Sequence, residues 1–179
     1  MKNLADILSI DLDAKTTAFK RGEIIQSAND VNTPTIYVKT GILRSYIIDS
    51  NGKEHIYMFA SEGWILGDIE ALEFNQPTQL YVDCLEDSEV IFFNKDYLFE
   101  ADLPKAKIEE NIQLLFRRIG RLQRRVLLLM GAPAIDRYLY FLETYPDLPN
   151  RVPQKMIASY LGIAPQTLST IRSRIARSK

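Results

Sequence analysis

Between Pro165 and Arg174 stand Gln166, Thr167, Ser169, Thr170, Arg172, Ser173 and Arg174, side chains that hydrogen-bond or carry positive charge. Carboxamides, hydroxyls and guanidinium groups at this density suit the edges of nucleic-acid bases and the phosphates that join them. Leu168, Ile171 and Ile175 recur at three- and four-residue intervals through the same stretch, so one helix face is apolar and the other is left for chemistry. Lys155, a little upstream, adds another cation.

Such a face needs a second helix to hold it. Counting Gln154 as position 1, Ala158 falls at 5 and Gly162 at 9, with Ile157, Leu161, Ile163, Leu168 and Ile171 at 4, 8, 10, 15 and 18. Pro153 suits a helix start, where its missing N–H is not needed. Ala158 lets a second helix cross closely. Gly162 ends the first helix where a left-handed conformation is cheapest, and Pro165 restarts one. The spacing predicts a helix-turn-helix whose second helix enters the major groove of DNA. From Arg151 to Lys179 there are six basic residues and no acidic one, the electrostatics that partner requires.

Gln166, Ser169 and Thr170 are then the expected base readers, with phosphates the expected partners of Lys155, Arg172 and Arg174.

The net charge of −1 conceals this polarity. Residues 1–104 carry −10, residues 105–150 carry +3 and residues 151–179 carry +6. Polyanion binding is thereby confined to one end. A single cysteine, Cys84, excludes an internal disulfide framework. Met1 to Lys15 alternates apolar and acidic residues with no continuous apolar core for export, and Val126–Met130, the longest apolar run, is too short to span a bilayer. The expectation is a cytoplasmic protein with no membrane partner.

From Thr16 to about Asn94 the chain reads as short strands: Thr16–Lys20, Glu23–Gln26, Thr35–Lys39, Ile42–Ile48, Lys53–Ala60, Leu80–Leu85 and Glu89–Phe93. Asn51-Gly52 is a strong hairpin signal. Many short alternating strands imply an antiparallel barrel or roll. Asp96 to Leu103 reads as a short helix or loop stopped by Pro104.

From Lys105 to Met130 there is no proline. Ile108, Ile112, Leu115, Ile119, Leu122, Val126 and Leu129 recur at intervals of 4, 3, 4, 3, 4 and 3, a heptad seam. β-branched residues at a (Ile112, Ile119, Val126) with mostly leucine at d favour two parallel strands, so a homodimer is expected. Arg117, Arg118, Arg121, Arg124 and Arg125 are expected on the outer surface. Leu114, Phe116, Leu127 and Leu128, off the seam, are expected to pack on the strand domain or the next helix. Gly131-Ala-Pro133 breaks the helix as a hinge. Ile135, Leu139 and Leu142 mark another helix, closed by Pro146 and Pro149.

The order of these parts, with Phe19-Lys-Arg-Gly-Glu23, Tyr37-Val-Lys-Thr-Gly41, Gly63-Trp-Ile-Leu-Gly-Asp68, the heptad helix and the helix-turn-helix, resembles the Crp/Fnr family of bacterial transcription regulators. The resemblance implies an α+β chain: a cyclic-nucleotide-binding-like β-roll over 1–104, a dimerisation helix over 105–131 and a DNA-binding domain over 132–179. It also implies a sequence-specific regulator reading an inverted-repeat operator, RNA polymerase as a further partner, and a small-molecule effector.

Cyclic-nucleotide-binding members carry Gly-Glu followed about ten residues later by Arg and Ser or Thr. Here Gly67-Asp68 opens that cassette, and Thr78 and Gln79 stand where arginine and serine would be. No lysine or arginine lies between Lys53 and Lys95 to pair with a phosphate, so ordinary cyclic AMP binding is not expected. Cys84 alone holds no iron–sulfur cluster. His55, the only histidine, is a candidate haem ligand but reads as structural beside Glu54. No cofactor or metal is expected, and the chain leaves little room for the winged hairpins usual in the family.

A roll of this kind could instead belong to a cupin-like enzyme or to a small-molecule-binding protein without DNA function. One histidine does not make a metal cupin, and no nucleophile elbow, P-loop or dinucleotide fingerprint is present. Asp68 and Glu70 read as solvated strand-end charges rather than an acid/base pair. No catalytic residue is assigned. A constitutive DNA-binding dimer with an idle roll is the third reading.

Overall fold

The computed structural model describes residues 15–31, 33–93 and 104–177. The expectations for Met1–Lys15 and Asp96–Leu103 fall, but for Lys15, outside those residues. The chain divides into two compact units, and the boundary falls after Gln113.

Among the described residues the first unit has eight strands: β1 (Thr17–Phe19), β2 (Ile24–Gln26), β3 (Thr35–Thr40), β4 (Leu43–Ile48), β5 (Glu54–Ala60), β6 (Ile65–Leu66), β7 (Tyr81–Cys84) and β8 (Ser88–Phe93). They form two four-stranded antiparallel sheets, ordered β1-β8-β3-β6 and β2-β7-β4-β5. Ile36, Val38 and Val90 from one sheet meet Leu43, Ala60, Val82 and Cys84 from the other, with Leu66 completing a dry core. Each such aliphatic side chain contributes roughly 1.5–3 kcal/mol by leaving water.

The turns follow from the chemistry of a few residues. At the β4–β5 hairpin Gly52 adopts φ +77°, while the Asp49 carboxylate accepts from the backbone N–H groups of Asn51 and Lys53. Gly41 opens β4 at φ +91°, and a Cβ there would lie 2.7 Å from the carbonyl oxygen of Asp87. Two elements escape the sequence reading, β6 and the helix α1 (Ile69–Phe74). Both are too short to show a period. Asp68 is therefore not a solvated strand-end charge: it caps α1, its Oδ1 accepting from the N–H of Ala71 at 3.1 Å.

The long helix α2 (Lys105–Gly131) crosses the unit boundary. The second unit adds α3 (Ala134–Thr144), α4 (Leu148–Arg151), α5 (Gln154–Leu161) and α6 (Pro165–Arg177). Pro133 caps α3, as the break at Gly131–Pro133 requires. Pro149 does not close α3. It sits in the first turn of α4, a position where proline is tolerated. Tyr138, Phe141, Tyr145 and Tyr160 form an aromatic cluster at the centre of this unit, with centroids 5.4–6.3 Å apart.

Candidate functional site

α5 and α6 form the helix pair that the spacing predicts. Ile157, Ala158, Leu161, Leu168 and Ile171 are buried, and Ile163 and Ile175 are half-buried. Gly162 closes α5 in the left-handed conformation at φ +65°, its N–H directed to the carbonyls of Ala158 and Ser159. Pro165 then opens α6.

The opposite face of α6 is exposed at Pro165, Gln166, Thr167, Ser169, Thr170, Ser173 and Arg174, and Lys155 is exposed on α5. Ser169, Thr170, Ser173, Arg174 and Arg177 line one shallow groove along the helix. Two side chains are more engaged than their spacing suggests. The Thr170 hydroxyl donates to the carbonyl of Gln166 at 3.0 Å, leaving its oxygen to accept and its methyl to pack. Arg172 is half-buried, and its Nη1 reaches the Tyr138 hydroxyl at 3.4 Å.

Sequence reasoning missed what holds this pair in place. α5 has no basic residue in its last turn, so its final carbonyls need donors from elsewhere. Arg137 supplies one, donating from Nη1 to the Leu161 carbonyl at 3.2 Å and from Nε to Ala132 at 3.0 Å. Arg125 supplies another, donating to the Tyr160 carbonyl at 3.4 Å with its guanidinium 4.0 Å from the Tyr160 ring centroid. Arg125 is thus not an outer-surface charge. The lack of a basic residue in the last turn of α5 was the signal available in the sequence.

Along α2 the seam residues Ile108, Ile112, Leu115, Ile119, Leu122, Val126 and Leu129 are each 38–52% exposed. Leu129 is the least exposed, and its Cδ2 lies 3.5 Å from where a Cβ on Gly162 would stand. Leu114 and Leu128 are half-buried, whereas Phe116 and Leu127 stand in solvent, 69% and 59% exposed. Neither is covered by the next helix, contrary to the expectation from the sequence.

In the roll, Asp68 and Thr78 meet. The Thr78 hydroxyl, buried, donates to Asp68 Oδ2 at 2.6 Å and accepts from the N–H of Leu80 at 3.0 Å and from Gln26 Nε2 at 3.2 Å. Gly67 packs on Thr35, and Gln79 is exposed. Of Gly67, Asp68, Thr78 and Gln79, two bond to each other, one lies against Thr35 and one faces water.

Arg44, a buried cation of the roll, lies across the sheet from Asp83 and Phe59 and is fully engaged. Its Nε and Nη2 donate to the two Asp83 carboxylate oxygens at 2.7 Å each, and Nη1 pairs with Glu54. Burial alone would lower its pKa, but the bonds from Asp83 and Glu54 outweigh that and raise it. His55 is bonded through Nε2 to Asp49 Oδ2 at 2.8 Å. Burial pushes the Cys84 thiol up to about 11. Among the described residues no group of three or more His, Cys, Asp or Glu is placed to hold a metal ion, and no helix is long and apolar enough to cross a membrane.

Comparisons with known proteins place this geometry. Residues 16–101 match the family described as the cyclic nucleotide-binding domain. Among curated proteins none matches the chain. Of the solved structures, FixK2 from Bradyrhizobium japonicum superposes with a TM-score of 0.73 at 22% identity, over 93% of this chain and 86% of that one. A CooA mutant from Carboxydothermus hydrogenoformans gives 0.71 at 16% identity, over 99% and 85%. TTHA1359 from Thermus thermophilus, described as a transcriptional regulator of the CRP/FNR family, gives 0.65 at 18% identity, over 92% and 87%. Residues 16–101 therefore resemble a cyclic nucleotide-binding domain, and the chain has the fold of these solved structures, a two-sheet roll followed by a long helix and C-terminal helices.

Proposed function

We propose that this protein is a homodimeric, sequence-specific DNA-binding transcription regulator of the cytoplasm, with no catalytic activity of its own. The observation that carries the reading is the α6 face: seven exposed polar or small side chains on a terminal segment without a single carboxylate. Gln166 and Ser169 stand at the start of α6, where this motif reads base edges, and Arg174 and Lys155 are free to meet phosphates. Arg172, tied to Tyr138, acts as much in posing α6 as in contacting DNA. RNA polymerase is the further partner that a regulator of this shape would engage.

The seam of α2 supports the dimer. Seven large aliphatic groups left half in water along one helix face are what a second copy would cover. Replacing Ile119 by Lys would set two like charges in that seam and cost several kcal/mol of dimer stability. Sedimentation should show monomers; an unchanged dimer would place the interface elsewhere.

Reading of DNA is tested by selecting from a randomised duplex library at two salt concentrations. Two-fold symmetry predicts an inverted repeat with half-sites about one helical turn, or a multiple, apart. Gln166→Ala should relax one symmetric base pair by about 1–3 kcal/mol of discrimination. Arg174→Ala should weaken all sequences alike and lower the salt slope by about 1 per head. If Arg174→Ala changes the selected sequence and Gln166→Ala does not, α6 is rotated from this pose.

The roll is the effector domain in this reading. Cyclic AMP does not fit it in the ordinary way, since Thr78 stands at the arginine place and bonds Asp68, while Arg44 is occupied by Asp83 and Glu54.

A further inference from the structure

A helix leaves its last four carbonyls without intrahelical donors, and at the end of α5 each has found one. The carbonyls of Ala158 and Ser159 accept from the turn itself, at 3.0 Å from the N–H groups of Ile163 and Gly162. The next two accept from guanidinium groups on other helices. Arg125 of α2 donates to the Tyr160 carbonyl at 3.4 Å and lies over the Tyr160 ring, and Arg137 of α3 donates to the Leu161 carbonyl at 3.2 Å. Both cations meet the negative end of the α5 dipole, where that helix has no basic residue of its own.

The two arginines come from opposite sides of the break at Gly131–Pro133. Arg137 spans it, since its Nε donates to the Ala132 carbonyl at 3.0 Å while Nη1 holds Leu161. Leu129, the last seam residue, lies behind the same turn. Its Cδ2 is 3.5 Å from where a Cβ on Gly162 would stand, and Arg137 Nη1 is 3.7 Å from that point. Leu115, Ile119, Leu122, Val126 and Leu129 belong to the same compact unit as α5 and α6. The turn that leads into α6 is therefore fastened to the helix that carries the seam, and the break is bridged rather than left as a free hinge.

In a two-fold dimer the distance between the two copies of α6 depends on how firmly each is held to the seam. From this geometry we infer that Arg125 and Arg137 are positioning residues that fix the half-site spacing of the operator, acting through α5 rather than on DNA. The inference rests on reading the protein as a homodimeric DNA-binding regulator. Two linked reading heads gain affinity only when both reach their half-sites at once, so loosening the clasp costs the second contact and leaves the first. Base readout within each half-site stays with α6.

The test uses the full-chain dimer and the inverted repeat that the parent selects from the randomised library. Binding is measured to that duplex, to duplexes with the centre lengthened or shortened by one base pair, and to a single half-site. The parent should prefer the full operator to the half-site by about 100-fold, and wrong spacing should remove about tenfold of that. Arg125→Met and Arg137→Met should each lower the preference by about tenfold and flatten the spacing dependence to about twofold, with half-site affinity within about threefold of the parent. Arg125→Lys, which keeps a donor and a cation, should recover at least about threefold of the lost preference. Arg117→Met, which removes the same charge from the exposed surface of α2, should change neither ratio. The inference is overturned if the methionine variants keep the parent's spacing preference, if half-site affinity falls as far as operator affinity, or if a variant no longer sediments as a dimer. In the last two cases the arginines would be supporting base reading or the seam, not the spacing. A parent that selects no inverted repeat sinks the regulator reading; a parent that selects one, with variants that keep its spacing, sinks this inference alone.

Discussion

In the roll, Arg44 gives its guanidinium to Asp83 and Glu54, and Asp68, Thr78 and Gln26 bond to one another. In the C-terminal unit, Gln166, Thr167, Ser169, Ser173 and Arg174 stand in solvent. The same kinds of groups are used inwardly in one unit and outwardly in the other. Polar groups paired inside a fold specify that fold, because leaving any one alone is costly. Polar groups left on a surface cost the fold little and remain available to a partner. Stability should therefore be sensitive to polar substitutions in the roll and DNA recognition to polar substitutions on α6.

The largest expected effect tests the inward half. Asp83→Ala leaves the buried Arg44 guanidinium with the Tyr46 ring and one carboxylate, Glu54, whose side chain is 46% exposed. Removing one partner of a buried pair costs about 3–5 kcal/mol. Urea unfolding should show that loss, whereas Arg174→Ala should move stability by no more than about 0.5 kcal/mol. Equal losses in the two variants would break the comparison.

What the sequence let one read follows the same division. Seven strands, the heptad seam and the helix pair were legible because each rests on a repeated signal or a glycine and proline at fixed places. β6 and α1 were not, being shorter than any period can declare. The inward network was invisible for another reason. Asp83 lies 39 residues from Arg44 in the chain, and the antiparallel register of β4 and β7 brings the two together. On α6 the chemistry was legible because outward-facing residues need no distant partner. Arg125 and Arg137 fall between: their sequence places them on helices, but the carbonyls they satisfy lie on α5.

Two glycines sharpen the comparison at smaller cost. Gly41 and Gly162 both have positive φ, where an L side chain costs about 1–2 kcal/mol. Gly162→Ala should lose about that much, since its Cβ would meet only ordinary contacts with Leu129 and Arg137. Gly41→Ala should lose more, because its Cβ would press on the Ser88 side chain and on the Asp87 carbonyl oxygen. Thermal melting of the two variants compares them directly, and a larger drop for Gly162→Ala would mean the helix turn is the tighter of the two.

Acid provides the finest test, because it acts on carboxylates and from Arg151 onward there are none. In the roll, Asp49 is held down to about 2, first by the hydrogen bond with His55 and then by the N–H groups of Lys53 and Asn51. Asp87 is lowered by its bond with Lys20 and by the N–H of Arg21. A carboxyl whose folded pKa is depressed contributes stability above its unfolded value, near 3.9. That contribution disappears as pH falls through the folded value, so for Asp49 the window runs from about 4 down to about 2. Both groups are at the surface, so the loss should be small. It should nonetheless appear in the roll and not in the helix pair. Carboxyl resonances followed through an acid titration would place the Asp49 midpoint near 2. In His55→Ala it should move up toward the ordinary aspartate range, because the largest contribution has gone. A midpoint that stays put would assign the effect to the hairpin backbone and leave His55 a bystander.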